Sequence, residues 1–192
     1  MTVAAPLTSS FKAPAKVVYG GRATLSGTLV SKQAGVSLQV MAQQCGATKA
    51  AQVATVTSGT GGTFSYAAQP LLRTTYTIKS KNLSSSAATV KVVPSLRLSR
   101  TGKHRYAVRL SAAQSFAGKN VSFQRFRPAV HRWRGVKRVL LHTDSTGIAP
   151  TVVSSAKFRS GLRRGLRVRV ALTQKQAGLC YLAGHSNTIR TR

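Results

Sequence analysis

Val36-Ser37-Leu38-Gln39-Val40 alternates apolar and polar side chains at every step, and the chain returns to this period-two pattern in runs too short for anything but strands. On an extended backbone successive side chains point to opposite faces, so such a run buries one face and leaves the other wet. Residues 16–19, 23–29, 52–57, 63–66, 74–79 and 88–93 repeat the pattern. Turn chemistry separates them: Gly20-Gly21, Ala34-Gly35 and Ser58-Gly59-Thr60-Gly61-Gly62, where glycine accepts positive φ without a steric penalty. Short strands at even intervals, rich in β-branched residues, predict an antiparallel β-sandwich before Pro94. Residues 1–12, which lack the alternation, read as a flexible leader, so the first domain is placed at 13–93.

After Pro94 the pattern starts again. Leu96-Arg97-Leu98 opens a strand, and residues 106–111 correspond to 24–29. Residues 117–124 match 34–39 with two residues inserted. Residues 138–141 and Asp144-Ser145-Thr146-Gly147 match 52–57 and the Ser58–Gly62 turn. Residues 166–172 match 75–78, and 188–192 form a last strand. A self-similarity of this length means two copies of one domain, so 94–192 is a second β-sandwich joined by the short, Pro-stiffened Val93-Pro94-Ser95. Within it, residues 118–147 read as two strands, a Pro-containing connection and a turn. Strand alternation puts Phe123 and Trp133 in the core, and Phe126, out of step with Phe123, at the surface.

The stretches YGGRATLSGTL, AGVSLQV, GGTFSY, RTTYTI, the AGK-V-F-Q and Trp133-to-Val136 runs, DSTG and the C-terminal GLCYLAGHSNTIRTR together resemble the tandem bacterial Ig-like, fibronectin-type-III-like modules of secreted and surface proteins, of actinobacterial type. The resemblance covers nearly the whole chain. It implies two Ig-like sandwiches, an extracellular or cell-surface location, and use as a structural or adhesion module without a shared active site. Tyr76 resembles the tyrosine corner of such sandwiches, where the hydroxyl bonds nearby backbone. The second copy has Leu166 at that place. No basic n-region or apolar h-region begins the chain, so no signal peptide is visible in it; Met1 as the native start would instead place the protein in the cytoplasm.

Charge sets this chain apart: of 192 residues, 30 are Lys or Arg and one is acidic, a net +29. Spread evenly over roughly 9,000 Å² of folded surface, neighbouring charges lie about 17 Å apart, against a Debye length of about 8 Å. The chain therefore folds without a polyanion, yet favours binding one. The second domain holds 21 of the 30 cations, mostly Arg, whose planar fork suits phosphate or sulfate and stacks on aromatic rings. Two clusters are the candidate contacts for an anionic polymer: Arg125, Arg127, Arg132, Arg134, Lys137 and Arg138 around one hairpin, and Arg159, Arg163, Arg164, Arg167 and Arg169 farther on. The polymer is a teichoic acid, an acidic glycan or extracellular DNA; an intracellular, sequence-nonspecific nucleic-acid-binding protein is the alternative. A plain spacer or self-assembling surface subunit, with the charge serving solubility, is the other.

Chemistry of other kinds finds little support. Paired-carboxylate catalysis needs two carboxylates, and Asp144 stands alone, in a motif its turn role explains. No GxSxG elbow occurs, and His104, His131, His142 and His185 have no metal-ligand spacing. No cofactor, metal site, catalytic residue or membrane-inserting run is expected. Cys45 and Cys180 fall at non-equivalent places in the two copies; they form either one disulfide between domains or two separate thiols.

Overall fold

The computed structural model describes residues 6–192. It is all-β, built of antiparallel sheets, and it divides into two compact units that part between Val92 and Val93.

The first unit runs through β1 (Thr8–Lys12), β2 (Lys16–Val18), β3 (Ala23–Leu29), β4 (Ser37–Gln44), β5 (Ala51–Thr57), β6 (Thr63–Ala68), β7 (Thr74–Ser80), β8 (Leu83–Ser84) and β9 (Ala88–Val93). One sheet has the order β1-β3-β6; the other is β2-β9-β7-β4-β5, with β8 beside β7. Alternation decides which side chains go inward. Leu25 and Leu29 of β3, Leu38 and Val40 of β4, Ile78 of β7 and Val90 of β9 are all buried in one cluster. Tyr76 joins them, and burial pushes its phenol up to about 12 against the pull of the Thr74 side chain. Gly27 sits mid-strand because its Cβ position is taken. A methyl there would collide with the Ser10 carbonyl of β1 and the Phe64 ring of β6. Gly27→Ala is therefore expected to destabilise the protein by about 1–3 kcal/mol, which a urea titration followed by circular dichroism measures.

The N-terminal segment departs from the leader expected of it. Residues 1–5 of that leader lie outside the described residues, but Thr8–Lys12 is a strand, paired Ser10 to Thr28 and Lys12 to Ser26. Leu7 is buried in the core cluster, and Phe11 stacks on Phe64 with ring centroids 6.2 Å apart. The pairing shifts register between Thr8 and Ser10. That irregularity breaks the period-two pattern and hides the strand from a reading of alternation.

The second unit comprises β10 (Ser95–Gly102), β11 (Arg105–Ala112), β12 (Asn120–Arg127), β13 (Arg132–Leu140), β14 (Thr143–Thr146), β15 (Val152–Arg159), β16 (Arg167–Leu172), a single helical turn α1 (Gln174–Ala177), β17 (Gly184–His185) and β18 (Ile189–Arg190). Its sheets are β10-β11-β15-β14 and β13-β12-β16-β17, with β18 also on β16. Tyr106, Phe123 and Phe158 form an aromatic triad in the core, with centroids 5.0 to 5.6 Å apart. A second aromatic pair, Phe116 and Tyr181, packs edge to face at 5.7 Å. The Tyr181 hydroxyl accepts the Ala113 backbone N–H at 2.9 Å, which ties a strand end in this unit where no Tyr occupies position 166.

Two features of this unit differ from expectation. The central strand β15 has no counterpart in the sequence reading, because two of its inward residues, Ser154 and Ala156, are small and one is polar. Asp144 lies in strand β14, opposite Ser154, rather than in a turn; the turn comes after it, where the Gly147 N–H donates to the Thr151 carbonyl. The Asp144 carboxylate accepts from the Ser115 and Ser154 hydroxyls, and the Ser154 hydroxyl in turn accepts the Phe116 N–H at 2.8 Å. One carboxylate thus satisfies a buried hydroxyl that completes the strand's polar groups.

Those two donors hold the Asp144 carboxyl below its ordinary value of 3.8. A depressed folded-state value means stability that is present above pH 3.8 and lost as the pH falls through the lower folded value. Asp144 is the chain's single acidic side chain, so no other side-chain carboxylate protonates as the pH falls. Denaturant unfolding is expected to show a decline in stability below about pH 4 that is absent in Asp144→Asn.

Candidate polyanion interface

β12, β13 and β16 position most of the candidate cations, and the pairing register assigns each to a face. Val121 and Phe123 of β12 and Val168 and Val170 of β16 point into the core. Gln124 and Phe126 therefore point out, together with Arg167 and Arg169. The pairing of β12 with β13 shifts between Phe123 and Gln124: Phe123 faces Lys137 and Gln124 faces Gly135, which leaves Val136 as an extra residue. This bulge reverses the alternation along β13. Trp133 consequently lies opposite Phe126 on the outer face and is half-buried, not in the core where unbroken alternation placed it. Phe126, expected at the surface, is half-buried on the same face.

The outer face is ordered by its own contacts. The Trp133 and Phe126 rings lie 5.3 Å apart. The Arg169 guanidinium sits 4.2 Å over Trp133 and that of Arg167 sits 4.9 Å over Phe126. The Arg169 Nε–H donates to Gln124 Oε1 at 3.0 Å, so its plane is fixed from two sides. Burial against these neighbours lowers the Arg169 pKa. His131, at left-handed φ in the hairpin tip, packs edge-on to Phe126 at 6.4 Å. Arg138, opposite Ser122, lies on this face as well.

The remaining candidates do not share that face. Arg125 with Arg134, and Arg127 with Arg132, are cross-strand pairs; Arg125 and Arg134 carry the parity of the core, on a hairpin that runs on past the aromatic triad. Lys137 donates from Nζ to the Arg159 carbonyl at 3.4 Å. Arg159 closes β15 opposite Arg105, and Arg163 and Arg164 lie in the loop before β16. These positions are brought together at one end of the unit instead. There the 102–105 turn, the end of β15, the loop before β16 and the C-terminal residues meet, linked by Ser160 N–H to the His104 carbonyl and Gly165 N–H to the Thr191 carbonyl.

This end also holds cations that the sequence reading passed over. A cleft of 650 Å³ is lined by Arg100, Lys103, His104, Arg164 and Arg192, and a neighbouring one of 510 Å³ adds Arg190. A third, of 440 Å³, is lined by Arg105, Lys157 and Arg159 beside Tyr106 and Phe158. The run Arg100-Thr101-Gly102-Lys103-His104-Arg105 carried the signal: three cations in six residues around a turn. Burial pushes the Tyr106 phenol pKa up, opposed by Arg100, and its hydroxyl has no hydrogen-bond partner in the structure. The opposite end of the unit carries only Lys119 and Lys175 among its loop cations, together with Asp144. The even spread of charge assumed from composition is thus replaced, in this unit, by strong polarity.

Register makes the concentration sharper still. Arg97 lies directly opposite Arg109, Arg105 opposite Arg159, Arg125 opposite Arg134, Arg127 opposite Arg132, and Arg167 opposite Arg190. Like charges facing each other across strands are destabilising, and the single acidic side chain lies at the other end. The arrangement can therefore bind anions multivalently, each ligand charge relieving repulsion between two guanidinium groups.

No protein-family model matches the chain, and no curated protein matches it. Among the described residues no three His, Cys, Asp or Glu side chains are grouped to hold a metal ion, and no helix is long and apolar enough to cross a membrane. Cys45 and Cys180 are both disulfide-bonded, and no described cysteine is a free thiol.

Proposed function

We propose that the protein is a non-catalytic structural or adhesion module of the bacterial exterior, made of two Ig-like sandwiches, whose second unit holds an anionic polymer electrostatically. The observation that carries this reading is the set of facing Arg–Arg pairs of that unit, of which four of the five lie at one end or on the outer face of β12, β13 and β16. A solubilising charge would disperse, since net charge alone keeps a protein soluble. Facing like charges cost stability unless something fills the space between them, and an anionic chain does so. The first unit, with nine cations and an ordinary apolar core, serves as spacer and support. Binding proceeds by release of counterions from the polymer and is largely indifferent to its sequence.

Fluorescence anisotropy with labelled DNA and a labelled poly(glycerol phosphate), over a salt series, tests this. Both are expected to bind tightly at low salt, with log affinity falling linearly in log salt concentration. Negligible binding of either at 50 mM salt would refute the proposal and leave a spacer or self-assembling subunit, which sedimentation without polymer would then reveal.

A further inference from the structure

The outer face of β12, β13 and β16 has a property that charge alone does not require: two neighbouring aromatic rings, each with an arginine guanidinium over it. We propose that this face is a stacking platform for unpaired bases, so that the polymer the second unit prefers is single-stranded nucleic acid. The inference rests on the polyanion reading above and narrows it to one ligand class.

Three observations carry it. Trp133 is displaced by the bulge at Val136 to the outer face, where it lies opposite Phe126; a wall polymer of glycerol or ribitol phosphate offers these rings no π-face to meet. The Arg169 and Arg167 guanidinium carbons sit over the rings at 4.2 and 4.9 Å, and an arginine backed by an aromatic ring is itself a surface on which a base stacks. Arg169 is held there by Gln124, so the array is formed in advance and loses little freedom on binding. Arg167 and Arg169 are two residues apart on one strand face, about 6.7 Å by the strand rise, and their N–H edges can engage neighbouring phosphates while bases stack on the ring-backed arginines. The same face rejects duplex as a stacking ligand, because paired bases already have their faces covered.

The experiment uses the full chain and its single tryptophan, Trp133, as the probe. Trp133 emission, together with the anisotropy of a fluorescein label carried by each polymer, is followed during titration at low salt with oligo(dT), with an abasic oligonucleotide of the same length and charge, and with poly(glycerol phosphate). Oligo(dT) is expected to bind more tightly than either of the others and to quench Trp133 strongly, whereas the abasic strand and the glycerol polymer leave its emission nearly unchanged. Phe126→Leu and Trp133→Leu, each checked for native circular dichroism, are expected to weaken oligo(dT) by about 5- to 150-fold and to leave abasic binding unchanged. Equal affinity for oligo(dT) and the abasic strand with a silent Trp133 would overturn the platform while the polyanion reading stands. Tighter binding of the glycerol polymer than of oligo(dT) would overturn it in favour of a wall ligand. Failure of all three polymers to bind would sink both readings. Should both variants unfold, the comparison of oligo(dT) with its abasic counterpart on the native chain still decides the matter.

Discussion

Replacing Arg132, Arg134, Arg167 and Arg169 together by Gln is expected to weaken binding of a single-stranded 20-mer at 50 mM salt on the order of 100-fold or more. It is also expected to flatten the salt dependence. Each phosphate contact to a single strand contributes about 0.7 to the slope of log affinity against log salt, so four lost contacts lower it by about 3. Arg132 and Arg134 come from one face of the β13 hairpin and Arg167 and Arg169 from the outer face of β16, and all lie where the unit's cations crowd. Lys119→Gln with Lys175→Gln, at the opposite end, removes half as much charge and is expected to change affinity by less than a few-fold. The contrast between the two sets matters more than either alone. A surface that merely repels or attracts through net charge would respond to both in proportion to the charge removed. The arginine variant is also expected to be slightly more stable than the parent, since Arg125 and Arg127 lose their facing partners and Arg167 no longer opposes Arg190.

Phe123→Ala is expected to have the largest effect on folding. Phe123 is fully buried and touches both Tyr106 and Phe158 at the centre of the triad. Removing its ring leaves a cavity flanked by two aromatic neighbours, a change that costs about 3–5 kcal/mol. That is a large share of the roughly 5–15 kcal/mol that holds a domain folded, and for a unit of this size it lowers the melting temperature by on the order of 15–30 °C. Scanning calorimetry reads the shift. The residue also sits one step from the bulge, on the strand that positions Gln124 and Phe126, so polymer binding is expected to fall in parallel at temperatures where the variant still melts as a folded protein.

The strands of the first unit were legible wherever alternation was unbroken: residues 23–29, 52–57 and 88–93 read as strands and form β3, most of β5 and β9. What alternation could not show were the places where the backbone adds a residue or the inward side chains are small. β1 was hidden by the register shift near Ser9, and β15 by the small inward residues Ser154 and Ala156, of which Ser154 is polar and satisfied by Asp144. Trp133 fell to the same cause. Counted back from Val139 by twos it belongs in the core, and only the extra residue at Val136, which leaves no mark in composition, turns it outward. The interface was legible as charge and illegible as geometry. The eleven cations named from the sequence lie on two faces and one end. Their companions Arg100, Lys103, Arg190 and Arg192 were overlooked because only the fold brings the 102–105 turn beside the C-terminal strand.

The most direct measurement is a two-dimensional ¹H–¹⁵N spectrum of the full chain, including arginine Nε–H signals, titrated with a short single-stranded oligonucleotide at low salt. The expected result is that shifts concentrate in β12, β13, β16 and the 100–105 turn, with Arg167 and Arg169 Nε–H moving most and Lys119, Lys175 and the first unit nearly still. Shifts spread evenly over the cations of both units, or centred on the first, would contradict an interface built by the second unit's facing arginines.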